Sequence, residues 1–522
     1  MREKIRIGAR QSDLARLQAY RVGEEIAKHF KGEITFHFRE SLGDKNLHDP
    51  LWKMPEKGVF TQDFQSDLLD DKIDLVVHSW KDLPTEQNPN LEILGTLKRA
   101  DARDLILFKK DRINAFEEKG GKKQLRIFSS SPRREFNLKN FLKVALPFDC
   151  SEIHFESVRG NIQTRVKKLM QEANIDALVL AKAALDRLLT AHEHEFGDTH
   201  KSLQAAIKQC RFMIVPLDVN PTAAAQGALA IEARKDRSDL RQLVGKINCR
   251  ETFECVLEER EILKSYGGGC HQKIGVSCQP LRGYKILRLK GQSPSGLHLE
   301  KNEIKYSKKV EDLLKVSKTL ASKSPPNFFP QRAEQIEFFD RTALESSTPS
   351  SSNGKRFYFV AKDKAMPANW DPKDFKEDFF GVSGMASWKK LANRGFWINV
   401  SAESLGESAI DLSLSPLVPI GSSKKLTHRG SQQLSQLENL ATYEILEKPN
   451  ALPDLSPYKF FFWPSFSHFK IAYAKYPYVL HAATHFSPPG HTFDLIGEIL
   501  KTEPIVCLGM NDFHLLLGYP VS

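Results

Sequence analysis

Lys81 and Asp82 stand directly after the apolar run Leu75-Val76-Val77, in the stretch DLVVHSWKDLPTE. A charged pair straight after a buried strand marks a candidate site, because open α/β sheets bind ligands beyond the carboxyl ends of their strands. An ionised carboxylate there can stabilise a cation or move a proton. The plainer alternative is that Asp82 only pairs with Lys81 or an arginine. Basic residues recur beside turn-formers: Arg10 in GARQSDLA, Arg133 and Arg134 in SSSPRREF, Arg159 and Arg165 in VRGNIQTR. Each falls where a strand end meets a helix start, and free backbone N–H groups there favour anions. Arginine adds a fork of donors that matches carboxylates. A single such arginine is ordinarily just solvated, whereas several at one sheet edge would hold a polycarboxylate or polyphosphate. Neither G-x-x-x-x-G-K-[ST] nor G-x-G-x-x-G occurs at these positions, which disfavours a nucleotide. No aromatics are interleaved for base stacking. A third chemistry lies in SYGGGCHQKIGV, where three glycines precede Cys270. They imply a turned or mobile loop that exposes the thiol as nucleophile or attachment point; a small buried hydrophobe is the alternative. AHEHEFGDTH carries His192, His194 and His200 without a ligand-spaced partner, so a solvated polar loop and no metal are expected.

The elements that must position these residues alternate. KIRIGA, EITFHF, IDLVVHS, QLRIFSS and DALVLAK read as strands. SDLARLQAYRVGEEIAKHF (with Ser12 as N-cap), FTQDFQSDLLDDK, RREFNLKNFL, NIQTRVKKLMQEA and AALDRLL have helical spacing. This is an α/β pattern with mostly parallel sheets. RFYFVAK, DFFGVSG, MASWKKLANRG, KFFFWPS and HTFDLIGEIL repeat the theme further along. The 522 residues exceed one hydrophobic core, so several domains are expected. A chain that is 41% apolar and 27% charged is not a disordered one. No run of about 18 apolar residues exists to span a bilayer, and MREKIRIGAR has no signal-peptide h-region. Seven cysteines without C-x-x-C suggest neither a disulfide framework nor a zinc site, and a reducing, cytoplasmic compartment is expected. The net charge of +11 lies wholly before residue 321, which suits an anionic ligand there or simply a solvated basic surface.

In this order, IRIGARQSDLARLQA, GDKNLHDPLWKMPEKGVFTQDFQSDLLDDKIDLVVHSWKDLPTE, SSSPRREFNL, VRGNIQTRVKKL, DALVLAKAALDRL, AAAQGALAIEAR and GGGCHQKIGV closely resemble porphobilinogen deaminase (hydroxymethylbilane synthase) over residues 4–320. The resemblance implies two periplasmic-binding-protein-like lobes, residues 1–100 with 212–245 and residues 101–211. A small α/β third domain, 246–321, would carry the cofactor cysteine. It implies an enzyme that joins four porphobilinogen units head to tail, releasing ammonia each time, to give linear hydroxymethylbilane. It implies a dipyrromethane primer linked by a thioether to Cys270. Asp82 would be the catalytic carboxylate that stabilises the azafulvene cation left by ammonia loss. Each pyrrole carries acetate and propionate, so the growing chain gains two negative charges per unit. Arg10, Lys81, Arg133, Arg134, Arg159 and Arg165 match the family's binding positions, and Ser79, Ser130 and Ser131 match polar neighbours of the cofactor. Ser12 joins the binding set, and Lys53 and Lys57 lie in the loop over the cleft. The expected partners are porphobilinogen and linear polypyrroles, with no nucleic acid or membrane, on a monomer. The chain departs from the family pattern at MPEKG, where a glycine pair usually precedes Lys-Gly. It departs also at Trp80 (usually smaller), at Pro132 (usually leucine), and at Ala224-Ala225 in AAAQG (usually valine-glycine). The segment from about Leu188 to Met213 is longer than usual. None of these removes a chemical group.

A Ser/Pro/Gly-rich linker is expected over 322–354. Beyond it, residues 355–522 resemble uroporphyrinogen-III synthase, through FFGVSGMASWKKLANRGFWINVSAESLGE, YKFFFWPSFSHF and THFSPPGHTFDLIGEIL. That resemblance implies a second α/β region that cyclises hydroxymethylbilane, which otherwise closes spontaneously to the wrong isomer. A strand and helix of its first lobe are shortened near residues 362–378. A degenerate docking or regulatory domain is the competing reading of this part. For the whole chain the competitors are a non-catalytic anion-binding protein and a basic nucleic-acid binder. Retention of both Asp82 and Cys270 counts against mere binding, which needs neither.

Overall fold

In chain order the first part of the molecule runs β1 (Lys4–Arg10), α1 (Asp13–Ala27), β2 (Glu33–Arg39), α2 (Gln62–Leu69), β3 (Leu75–Ser79), β4 (Leu91–Gly95), β5 (Asp104–Lys109), α3 (Lys110–Glu117), β6 (Gln124–Phe128), α4 (Pro132–Ala145) and β7 (Glu152–Glu156). It continues with α5 (Ile162–Gln171), β8 (Ala177–Ala181), α6 (Lys182–Leu189), α7 (Glu193–Lys208), β9 (Cys210–Ile214), β10 (Leu229–Arg234), α8 (Ser238–Gly245), α9 (Arg250–Ser265), β11 (Lys273–Leu281), β12 (Tyr284–Gln292) and β13 (His298–Lys305). This computed structural model describes residues 3–40, 61–117, 123–191, 193–268, 272–321, 327–345, 355–407, 410, 416–417, 422–431 and 437–519. Two compact units result, 1–143 with 148–303, and 144–147 with 304–522.

Two five-stranded sheets form the lobes of the first unit, in the orders β2-β1-β3-β10-β4 and β7-β6-β8-β5-β9. The interior strands β5 and β8 are buried along their whole length, as continuous apolar runs require. The outer strand β2 alternates instead. The expectation of mostly parallel sheets is corrected: β10 runs antiparallel to β3 and β4, and β5 antiparallel to β8 and β9. The reason is topological. The chain crosses between lobes after β4 and again after β9, and a strand entered from the other lobe needs no crossover helix to its neighbours. Ala19, Val22 and Ile26 of α1 pack at helical spacing on Ile5, Ile7, Leu75, Val77 and Ile231. A third domain lays α9 on the sheet β11-β12-β13, through Cys255, Ile274, Val276, Leu287 and Leu299.

Of the stretch 191–200 expected to be a solvated loop, the part from Glu193 onward is corrected to the helix α7, with a non-helical Phe196 inside it. Phe196, Leu203, Ala206 and Ile207 are buried and anchor it. Asp13 at the start of α1 accepts bonds from Thr199 of α7 (2.6 Å) and Gln163 of α5 (2.8 Å). Among the described residues no His/Cys/Asp/Glu group is arranged to hold a metal ion, and no helix is long and apolar enough to cross a membrane.

The second unit begins at Ile304 rather than after residue 321, since α10 (Lys308–Ala321) packs through Leu314 on its aromatic core. The expected linker is likewise corrected in part: β14 (Phe328–Phe329) and β15 (Phe339–Ala343) lie within it, and Phe329, Phe338 and Phe339 are core residues. Further strands are β16 (Arg356–Val360), β17 (Phe379–Val382), β18 (Ile398–Ser401), β19 (Ser422–His428), β20 (Glu438–Glu447), β21 (Phe460–Phe462), β22 (Thr484–Ser487) and β23 (Ile505–Val506). They form a six-stranded sheet, β15-β20-β19-β16-β17-β18, and a four-stranded one, β14-β21-β22-β23. Between β16 and β17 the crossover is two 3-10 turns, Asp363–Ala365 and Pro372–Phe375. Helices α11 (Met385–Asn393), α12 (Phe466–Lys475), α13 (Pro477–His481), α14 (His491–Leu500) and α15 (Met510–Leu516) complete the unit. Strand β21 shows the two-residue period plainly: Phe461 enters one aromatic cluster, and Phe460 and Phe462 enter another.

Candidate active site

Strand β3 buries Leu75, Val76 and Val77 and then stops in a 3-10 turn, Trp80–Asp82. Pro84 has no N–H for a ladder and helps to end it. Trp80 anchors the turn: it is fully buried against Leu83, Ile93, Ala225, Ala228, Ala230 and Val256, with its ring 5.3 Å from that of Phe253. Lys81 is left half-buried and Asp82 exposed. Two departures from the family pattern are thereby one packing event, since small residues in AAAQGALA leave the volume that Trp80 fills. Ala225 sits at φ 68°, the left-handed region that explains the family's usual glycine. An alanine there costs on the order of 1 kcal/mol, and its N–H is held by Glu259 Oε2 at 2.7 Å.

Asp104, the first residue of β5, has no exposed surface. Arg133 Nη2 donates to it at 2.9 Å, and Arg134 through Nη2 at 2.7 Å and Nε at 3.1 Å. Asn220 and Gln226, on the returning crossing, donate at 2.8 and 2.9 Å. Burial works to raise this carboxyl's pKa, but the Arg134 and Arg133 guanidiniums outweigh it and hold Asp104 well below the usual carboxylate range. Gln226 Oε1 in turn accepts from Lys81 Nζ at 3.3 Å. One hydrogen-bonded chain therefore runs from the Lys81-Asp82 turn of the first lobe to the start of α4 in the second. Arg133 and Arg134 are only 4% and 7% exposed. Much of their donor capacity goes to Asp104, Asn220, Pro221 and Val179, so they frame the site as charged walls.

Arg165 on α5 donates Nε to Gly160 O at 2.8 Å. Burial, then Arg134, with Arg159 adding, pushes its pKa down to about 10, against the pull of Asp82. Lys81 is lowered by burial first, with Arg134 and Arg133 adding and Asp82 and Asp104 opposing. Lys81, Asp82, Arg133, Arg134, Arg159 and Arg165 are thus one electrostatic neighbourhood. Ser130 staples two loops of the second lobe, its Oγ donating to Val158 O (2.7 Å) and accepting from Val158 N (2.9 Å), next to Arg159. Ser131 Oγ accepts the Arg134 N–H at 3.5 Å, and Ser79 Oγ donates to the buried Gln18 at 3.1 Å. Arg10 and Ser12 stand at the β1–α1 junction, where Ser12 is the N-cap by backbone and its hydroxyl makes no capping bond. Lys53, Lys57 and Cys270 lie outside the described residues. The neck of the Cys270 loop is described: Gly268 has φ 66°, and a Cβ on it would come 2.7 Å from Thr85 Oγ1. Gln272 Nε2 donates to Tyr266 O at 2.8 Å and to Gly268 O. Gly268, the last described residue before Cys270, therefore lies beside Thr85, shortly past Asp82.

Sequence reasoning missed Asp104, Asn220, Gln226, Glu259 and Arg260. Asp104 carried a usable signal, a charge opening the buried run DLILF, the mirror of Lys81-Asp82 closing one.

A second cluster lies within the second unit, where its two sheets meet. Arg341 (β15), Lys362 (after β16), His428 (end of β19) and Tyr443 (β20) come from one sheet, and Ser465, Ser467 and His468 from the start of α12 beside the other. Ser467 Oγ is 3.5 Å from His428 Nε2, and Ser465 Oγ is 2.6 Å from His468 Nδ1. Burial first, then Arg341, pushes Lys362 down to about 8. Burial raises the Tyr443 phenol, which Arg341 hydrogen-bonds.

A family profile described as "Porphobilinogen deaminase, dipyromethane cofactor binding domain" matches residues 5–242. The porphobilinogen deaminase of Caldicellulosiruptor saccharolyticus is 36% identical over 278 residues, 53% of this chain and 85% of that protein. That of Chlorobium phaeobacteroides is 35% identical over 305 residues, 58% of this chain and 88% of that protein. A solved arginine-transport periplasmic binding protein from Legionella pneumophila aligns over 51% of this chain and 95% of its own, at 10% identity and a TM-score of 0.24. On the identity to the curated relatives and the share of their length covered, the chain belongs to the porphobilinogen deaminase family and carries its dipyrromethane cofactor-binding domain.

Proposed function

We propose that this deaminase uses Asp82 as its catalytic carboxylate and Cys270 as its cofactor attachment point, and that the second unit is a uroporphyrinogen-III synthase. Dipyrromethane, when bound, supplies the pyrrole carbon to which the first porphobilinogen is joined. The residues present fit it. Each of its rings carries acetate and propionate, and Arg165, lowered by burial first and then by Arg134, stands with Arg134 and Arg159 as a cationic lining that matches those carboxylates. Asp82 is exposed at the tip of a turn whose base is locked by Trp80, so its carboxylate can face a ligand without moving. It offsets the positive charge that develops on porphobilinogen as ammonia leaves. Lys81, steadied by Gln226, and Arg165 orient the substrate's carboxylates. The observation that carries this reading is the shared neighbourhood of Asp82, Lys81, Arg134 and Arg165. Intact mass tests it. Protein from cells that make porphobilinogen should carry a mass excess of two linked pyrroles, absent in Cys270→Ser; no excess would remove the attachment. Asp82→Asn should keep the excess and lose turnover by about a hundredfold to a thousandfold.

For the second unit, the supporting observation is the cationic cluster of Arg341 and Lys362 between its sheets. Lys362 stands just past the end of β16, the kind of place where α/β folds bind ligands, and with Arg341 of β15 it suits the carboxylates of hydroxymethylbilane. Isomer analysis of the oxidised product decides: type III porphyrin is expected, and type I alone would remove the synthase.

A further inference from the structure

Helix α9 makes two buried connections at consecutive residues. Glu259, with no exposed surface, bonds Arg99 at 2.6 and 2.9 Å and accepts the N–H groups of Ala225 (2.7 Å) and Cys278 (2.6 Å). It ties the third domain to both crossings between the lobes. Arg260, 8% exposed, reaches the other way. Its Nη1 donates to Trp80 O at 3.3 Å and Leu83 O at 3.2 Å, and its Nη2 donates to Pro84 O. These carbonyls bracket Lys81 and Asp82. A guanidinium, with its rigid fork of donors, can serve several carbonyls at once, whereas an ammonium is a compact point charge. The same helix runs out at Ser265 and continues through Gly267 and Gly268 toward Cys270, with Gly268 against Thr85. One helix therefore sets both the turn that bears Asp82 and the neck of the Cys270 loop.

We infer that Arg260 is a positioning residue of the deaminase reaction, holding the turn Trp80–Asp82 so that the Asp82 carboxylate keeps its place. The inference rests on the roles proposed above for Asp82 and Cys270. Without the fork, three carbonyls lose their common donor and the turn relaxes. Misplacing a reacting group by about 1 Å costs about a hundredfold in rate.

The test uses the full chain with Arg260→Met, Arg260→Lys, Asp82→Asn and, as a control at the exposed start of the same helix, Arg250→Ala. Cofactor loading by intact mass, thermal midpoint, kcat and KM for porphobilinogen are measured together. Arg260→Met should load cofactor and keep KM, while kcat falls about a hundredfold. Arg260→Lys should recover part of that loss, and Arg250→Ala should match wild type. Wild-type kcat in loaded Arg260→Met overturns the inference. So does a loss of activity that only tracks cofactor loss or a lowered midpoint, which marks a purely structural role. Should Arg260→Met not fold, Arg260→Lys decides alone: reduced kcat at full loading supports the inference, and unchanged kcat overturns it. Failure of the underlying reading is separately visible, because full turnover in Asp82→Asn would remove Asp82 whatever Arg260 does.

Discussion

Asp104 in the first unit and His468 in the second are both buried behind places where sheets meet, yet one is charged and the other discharged. Asp104 stays ionised because two guanidiniums and two amides converge on it. His468 is pushed down to about 3 by burial first, then by the like charges of Lys362 and Arg341, and its ring packs on Phe338 and Phe339. His485 follows the same pattern at about 4, stacked on Phe461, its Nδ1 accepting from Trp463 Nε1 at 2.9 Å. The first unit thus frames its site with paired charge, whereas around His468 and His485 the second packs aromatic rings in which histidine serves as a flat, neutral, polar ring. A charge network concentrates its dependence on single atoms, whereas an aromatic core spreads it over many contacts.

The largest effect follows from that concentration. Asp104→Asn keeps the shape but leaves Arg133 and Arg134 as buried cations without their counter-charge, and should cost about 3–5 kcal/mol. Hydrogen exchange read by mass spectrometry should show the loss in residues 104–234 and normal protection in the second unit. Normal protection throughout would mean that Asn220 and Gln226 suffice and that the charge is incidental.

Acid should separate the units in the opposite direction. His468 and His485 have folded pKa values of about 3 and 4, below the ordinary 6.5, so the unfolded chain binds more protons between those limits. Their contribution to stability is complete above pH 6.5 and is lost as pH falls, roughly 5 kcal/mol for His468 and roughly 3 kcal/mol for His485. The carboxylates of the first unit act lower. Burial alone would raise Asp101, but Arg103 and then Lys182 bring it to about 2, and Asp104 lies lower still. Their stabilisation is lost only as pH falls below about 3.9 toward those values. The second unit should therefore lose exchange protection first, between about pH 6 and 4. Simultaneous opening below pH 4 would erase the distinction between paired and discharged cores.

What the sequence disclosed divides along the same line. Local signals were legible: apolar runs set the strands, and charges at their ends, Lys81 and Asp82 above all, marked where a site could be built. Partnerships across the fold were not. Arg133 and Arg134 showed their charge but not their buried acceptor, Asp104, which lies 29 residues earlier than Arg133, on another element of the same lobe. Trp80 and Ala225 read as two unrelated departures because the packing that links them exists only once β3 and β10 are neighbours. Polar residues around His194 suggested a loop because Phe196 and Ile207, which bury α7, are sparse anchors in a charged stretch. The linker was misplaced at 327–345 because Ser and Pro around it obscured two short strands whose phenylalanines are core.

The smallest expected effect probes whether the second unit uses one cation of its cluster on its ligand. Lys362 is lowered to about 8 by burial, then Arg341, with Lys364 adding and Asp363 opposing. A depressed lysine is charged below its pKa and neutral above it, so a carboxylate held by Lys362 is released as pH rises through about 8. Ammonia release by the first unit depends on a different set of groups and should continue across that range. The fraction of type III product should therefore fall severalfold between pH 7 and 9 while total porphyrin holds. Lys362→Arg should flatten the decline, because a guanidinium stays charged, and Lys362→Met should give the low fraction at every pH. A type III fraction that is constant across this range in the wild-type chain would place Lys362 away from the ligand. Arg341 would then be the cation of that site, and the test would pass to Arg341→Met.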